Sequence, residues 1–173
     1  RVTSRVMRVL REHGGTVDAS CGLHIHHSAA NMSPMEIAQT FGLYALFQPV
    51  LDSILPTSRT NGEYCKSLCE ESAIWAERCA MRSYEDNIFG HMFNTDRYLS
   101  INLSALQQHG TVEFRQHSGT LNSIKIMHWK RLTSAFMLAG RRLTWRSIIK
   151  DYDSWDNGQK AQTLESMLLW LRM

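Results

Sequence analysis

The feature that most limits what this chain can fold into is a run near its middle, Gly110-Thr111-Val112-Glu113-Phe114-Arg115-Gln116-His117. Side chains of an extended strand alternate between two faces. Val112 and Phe114 therefore share one face, and Thr111, Glu113, Arg115 and His117 share the other. A strand so divided buries one face against a core and keeps the other in water or in a polar cleft.

Two more segments have the same character. Residues 97–103, RYLSINL, alternate so that Tyr98, Ser100 and Asn102 lie opposite Leu99, Ile101 and Leu103. Residues 19–28, ASCGLHIHHS, put Cys21, Leu23 and Ile25 on one side and His24 and His26 on the other. Segments 97–103 and 110–117 are close enough in sequence to form an antiparallel pair with a medium-length turn. If all three strands join one sheet, their polar faces line one cleft.

Between the strands the period changes to that of helices. Residues 1–12 read as the end of an amphipathic helix, with Val2, Val6, Val9 and Leu10 near helical spacing. Ser33-Pro34-Met35-Glu36 is a helix start, with Ser as cap, Pro first and Glu third. That helix extends to about Leu55 and is expected to kink or divide at Pro49. Further helices are expected over about 66–83, over 123–143 with Ile124, Met127, Leu132, Phe136 and Leu138 inward, and over 157–171 with Leu164, Met167, Leu168 and Leu171 buried. Strands interspersed with long helices and paired antiparallel indicate an α+β fold. No repeat or long linker divides the chain, so residues 1–173 are expected to form a single domain.

Composition closes several routes. With 19 basic and 16 acidic residues the net charge is +3, too small to predict a nucleic-acid or membrane partner, though compatible with an anionic ligand. No apolar run approaches a membrane span. The four cysteines, Cys21, Cys65, Cys69 and Cys79, match no zinc-finger or thioredoxin spacing and read as reduced thiols. An intracellular, cytoplasmic setting is expected.

The chemistry concentrates on the polar sheet face. A carboxylate at Glu113 and an imidazole at His24 or His26 can hold a divalent cation. Arg115 can clamp a phosphate or carboxylate through two parallel hydrogen bonds. Metal and arginine together are what phosphoryl transfer requires. The plainer reading of Glu113-x-Arg115 is a cross-strand ion pair, and that of His24 and His26 is structural.

An ordered set of segments carries a resemblance. It comprises Cys21-Gly22-Leu23-His24-Ile25-His26, Ser58-Arg59 with Asn61 and Tyr64-Cys65, Arg97-Tyr98 with Asn102-Leu103, and Gly110 to Thr120 with Trp129 downstream. Over roughly residues 15–140 the chain resembles the amidoligase family, which belongs to the glutamine synthetase and glutamate–cysteine ligase superfamily of carboxylate–amine ligases. The resemblance implies a glutamine synthetase-like fold, a cupped antiparallel sheet with helices on its outer face. It implies ATP and Mg²⁺, and an acyl phosphate made from a small-molecule or peptide carboxylate and attacked by an amine. By the same resemblance Glu113 would be a Mg²⁺ ligand and Arg115 a phosphate contact. His24 or His26 would stand near the metal or the nucleotide phosphates, and Arg59 would be a second phosphate or substrate contact. Asn102 and His117 would help position these groups. Gly119 would allow a tight backbone passage beside the site.

The sequence departs from the family at one point. The family's first strand carries a Glu-x-Glu pair, and none precedes His24; Glu12 and Asp18 are badly placed. The chain also begins with Arg. These features lead us to expect the C-terminal portion of an amidoligase-like domain, with a protein partner or an upstream segment supplying or covering the rest. Two rivals to a ligase stand beside it: a catalytically inactive amidoligase-like subunit of a larger assembly, and a metal-dependent hydrolase using the His/Glu face. The 173-residue chain alone is expected to be silent, because Glu113 with one histidine cannot position the several ions that superfamily uses. ATP-dependent amide formation by residues 1–173, abolished by Glu113→Gln, would refute that expectation.

Overall fold

In a computed structural model the described residues are 2–60, 62–68, 96–144, 147, 150 and 163–173. The elements are helix α1 (Val2–Glu12), strand β1 (Gly22–Ser28), helix α2 (Pro34–Ile54), a 3-10 turn (Thr57–Arg59), strand β2 (Ile101–Asn102), helix α3 (Ala105–His109), strand β3 (Thr111–Ser118), helix α4 (Ser123–Arg142) and helix α5 (Leu164–Leu171). The fold is α+β, with a three-stranded antiparallel sheet in the order β1-β3-β2. No helix among the described residues is long and apolar enough to cross a membrane.

Register explains the two faces. His26 and Asn102 both stand opposite Glu113, from β1 and from β2, and so make one polar row across three strands. Ile25 and Ile101 both stand opposite Phe114 in the next, apolar row. That row is the floor of the core. Phe114 meets Tyr44 of α2 edge to face at 5.3 Å, and Tyr44 meets Phe136 of α4 at 5.0 Å.

The register shifts between Leu23 and Ile25. Leu23 faces His117 and Ile25 faces Phe114, so His24 alone opposes Arg115 and Gln116. This is a bulge carried by β3, and it resets the alternation beyond it. Gln116 turns to Tyr44, whose hydroxyl donates to Gln116 Oε1 at 2.6 Å, and Gln116 Nε2 donates to Asp52. His117 pairs with Leu23 and packs on Trp129 of α4 at 5.3 Å. Strict parity, which put His117 beside Glu113 and Arg115, thus fails at the bulge.

The second strand is shorter than its alternation suggested. The Asp96 side chain accepts from the backbone of Tyr98, and Leu99 N–H bonds to Asp96 O, which folds residues 96–99 into a turn. Lys66 then bridges to Leu99. Ser100 leaves the polar row and donates to Gln48 of α2 at 3.2 Å. The helix expected from residue 66 does not begin there, since Lys66 is held by that bridge. Residues 69–83, with Cys69 and Cys79, lie outside the described residues.

Helix α2 has the expected start. Ser33 and Glu36 form a reciprocal capping box, with Ser33 N–H to Glu36 Oε2 at 2.6 Å. It is not divided at Pro49, because nearly every residue from Ile37 to Leu51 is buried and packing outweighs the lost hydrogen bond. In α4 the inward face is Trp129, Thr133, Phe136, Met137 and Gly140, whereas Ile124 and Leu138 are exposed. In α5 Met167 and Leu171 are buried, Leu168 is half-buried and Leu164 is exposed; positions 157–162 lie outside the described residues. Helix α1 is amphipathic but buries none of its residues. Cys65 is a free, buried thiol that burial pushes up to about 11, so it stays protonated.

Helices α2 and α4 cross in direct backbone contact at Gly140. A Cβ there would overlap Thr40 Oγ1 and stand 2.8 Å from Thr40 N and 2.9 Å from Glu36 O. None of these is a flexible side-chain end, so the helices must separate. Gly140→Ala is expected to destabilise the fold by about 1–3 kcal/mol, measured by urea unfolding; an unchanged midpoint would show that the crossing has slack.

Candidate active site

On the polar face of the sheet lies an open cleft of about 600 Å³, lined by His24, His26, Asn102, Glu113, Arg115 and, beyond the sheet, by Arg97 and helix α3. At its floor is the Glu113 carboxylate, of which only 7% is exposed. Oε1 accepts from Arg115 Nη1 at 3.0 Å and from His24 Nδ1 at 2.8 Å, with His26 Nε2 at 3.5 Å. Oε2 accepts from Asn102 Nδ2 at 2.7 Å. An ionised carboxylate only accepts, so His24 Nδ1 carries a proton here.

These contacts decide the charge of Glu113. Burial alone would raise its pKa. The hydrogen bonds from His24 and Asn102 and the charges of Arg115 and His24 outweigh burial and bring it down to about 2. The carboxylate therefore stays ionised at every physiological pH and holds four side chains around one point.

His24 is at the bulge, and its ring lies over Gly22. A Cβ on Gly22 would stand 2.9 Å from His24 Nε2 and 3.2 Å from Arg59 Nη1. Arg59 is buried; its Nη2 donates to Cys21 O, and it flanks the cleft without lining it. Gly119 passes against Cys21, with its N–H donating to Cys21 O at 2.7 Å. A Cβ there would overlap the Cys21 side chain, so this is a tight passage. His117 does not line the cleft; its Nδ1 bonds to Ser118 O at 2.7 Å, and burial lowers its pKa.

The structure thus brings His24, His26, Asn102, Glu113 and Arg115 together and leaves Arg59 behind β1 and His117 on Trp129. It also adds residues that alternation did not single out. Ser104, Gln108 and His109 form a wall from α3, and His109 meets His26 edge to face at 5.9 Å. Asn102 Oδ1 accepts from Ser104 N at 2.9 Å and starts that wall. The available signal was the helix-forming run Ala105-Leu106-Gln107-Gln108 closed by Gly110.

With this arrangement in view, comparison with known proteins is decisive. A family model described as "Putative amidoligase enzyme" matches residues 1–137. The chain belongs to this family. That description carries a ligase-type function and names no substrate. No curated protein and no solved structure matches this chain.

The fit of the cleft to the family's expected ligands follows from its donors. Arg115 brings a positive charge to the cleft lining, which suits an incoming anion, and its Nε is buried without a hydrogen-bond partner. Among the described residues no group of three or more His, Cys, Asp or Glu is arranged to hold a metal ion. His24 Nδ1 donates to Glu113 Oε1 and Oε2 accepts from Asn102, so as arranged this pair does not fit Mg²⁺, which needs free oxygen ligands in a near-octahedral shell.

The depressed pKa of Glu113 makes a stability statement. Its ordinary value is 4.5, against about 2 in the fold. The stabilisation it brings is complete above pH 4.5 and is lost as pH falls through about 2. Glu113→Gln is therefore expected to cost about 1–3 kcal/mol near neutrality, with the gap to wild type closing between pH 4.5 and 2. Urea titrations across that range measure it; a gap that persists unchanged to pH 2 would mean the charge of Glu113 is immaterial.

Proposed function

We propose that this chain contributes the phosphate-handling floor of an ATP-dependent carboxylate–amine ligase on a glutamine synthetase-like fold. The observation that carries the reading is the convergence of Arg115, His24, His26 and Asn102 on Glu113 at the floor of a cleft, in a chain of the amidoligase family.

In this reaction an oxygen of the substrate carboxylate attacks the γ-phosphorus of ATP and ADP leaves. The amine nitrogen then attacks the acyl carbon of the acyl phosphate, inorganic phosphate leaves, and the nitrogen gives up a proton. Negative charge develops on the transferring phosphoryl group, and neutralising it is the main task of the site. Arg115 does this, with its guanidinium held through Nη1 by Glu113. Asn102 fixes the plane of the Glu113 carboxylate. His26, tied to Thr111 Oγ1 at 2.9 Å, faces the phosphate region. Arg59 acts as a positioning residue, fixing the start of β1 through the Cys21 carbonyl.

A second reading, a catalytically silent member of the fold, is favoured by one observation: both oxygens of Glu113 are already engaged by protein donors. The same experiment separates the two. ATP turnover by the native protein is measured with a panel of carboxylates and amines, beside thermal melting, for wild type and Arg115→Ala. The ligase reading expects turnover to fall by roughly 100-fold or more, well beyond the loss in melting temperature. Equal loss of both, or absence of turnover in the wild type, would favour the silent scaffold.

A further inference from the structure

Arg97 has no role in the site as derived above, yet it lines the cleft. Its guanidinium carbon lies over the Tyr98 ring, 5.3 Å from the centroid. That of Arg115 lies over the same ring at 5.9 Å. One tyrosine thus carries two guanidinium groups. The charges of the two differ in their compensation. Arg115 is paired with Glu113 at 3.0 Å, whereas Arg97 is exposed and forms no ion pair among the described residues.

Among the described residues, nearby acids do not answer Arg97. Asp96, its neighbour in sequence, is paired with Lys66 at 2.5 Å, which helps hold its carboxyl below the usual range. Glu113, the one carboxylate of the lining among the described residues, is shared among Arg115, His24 and Asn102. Among the described residues the lining therefore has one guanidinium in excess. On the Arg115 side a buried Nε–H is also without a partner. Two arginines stacked on one ring repel each other unless an anion lies between them, and stacking on a ring fixes the planar fork in place.

We infer that Arg97 and Arg115 form a two-arginine clamp, organised by Tyr98, for one oxyanionic group at the mouth of the cleft. The ligand group is a carboxylate or a phosphate. This rests on the proposed ligase reading only in that both place an anion beside Arg115. Arg97 touches the bound molecule, so it is a binding residue that selects for negative charge.

The experiment is calorimetric titration of the full chain with two probes, inorganic pyrophosphate and glutarate, for wild type, Arg97→Gln, Arg97→Lys and Arg115→Gln. Arg97 is exposed, so its variants are expected to melt as wild type does, and melting curves check this. Arg97→Gln is expected to weaken at least one probe about tenfold, the loss of one charge-assisted contact, and Arg97→Lys to recover part of it. A loss confined to pyrophosphate assigns the clamp to a phosphate, and a loss confined to glutarate assigns it to a carboxylate. Unchanged affinity for both probes in Arg97→Gln, with loss in Arg115→Gln, overturns the clamp and leaves the ligase reading standing. If wild type binds neither probe, both fall.

Discussion

The site depends on one interaction, the hydrogen bonding of the buried Glu113 carboxylate. Removing a charge of this kind from water costs several kcal/mol. Hydrogen bonds to a charged group return about 1.5–3 kcal/mol each. One such bond would leave Glu113 neutral or exposed. Three short ones, from Arg115, His24 and Asn102, keep it ionised and immobile. They come from all three strands, so the carboxylate ties the sheet together on its polar side as Phe114 does on its apolar side.

Behind β3 a second polar chain runs the other way. Tyr44 bonds Gln116, and Gln116 bonds Asp52, whose carboxyl burial pushes up to about 6. Gln48 in the same helix accepts from Leu68 N and Ser100 Oγ. Helix α2 therefore meets the sheet through oriented hydrogen bonds as well as through Tyr44 and Phe114. Hydrophobic contacts alone let strands slide by small amounts, whereas these bonds fix where α2 sits along β3. That in turn fixes the floor on which Arg115 and Glu113 stand.

Alternation made much of this legible. The polar row of His26, Glu113 and Asn102 follows from a period of two in each strand, and the α2 start follows from Ser33, Pro34 and Glu36. Other features turn on contacts that no local pattern encodes. The bulge at Arg115–Gln116 depends on how β1 and β3 pair, so His117 was placed on the wrong face. Ser100 leaves its row because Lys66, distant in sequence, takes the backbone of Tyr98 and Ser100 while Asp96 turns residues 96–99. Pro49 was expected to interrupt a helix whose burial sustains it. The wall from α3 was hidden because five residues are too few to show a period.

The bulge gives β3 two phases. Glu113 and Arg115 look into the cleft, whereas Gln116 and His117, neighbours in sequence, both look toward the helices. The strand thus behaves like two short reading frames joined by one extra residue. A single deletion at the join would merge the frames. Loss of Gln116 would leave His117 opposite Leu23 on the helix side and strip α2 of its anchor in the same step. Length in this strand is therefore constrained as tightly as identity: the extra residue is what lets Gln116 and His117, neighbours in sequence, both reach the helices, and a strand shorter by one could keep only one of those contacts.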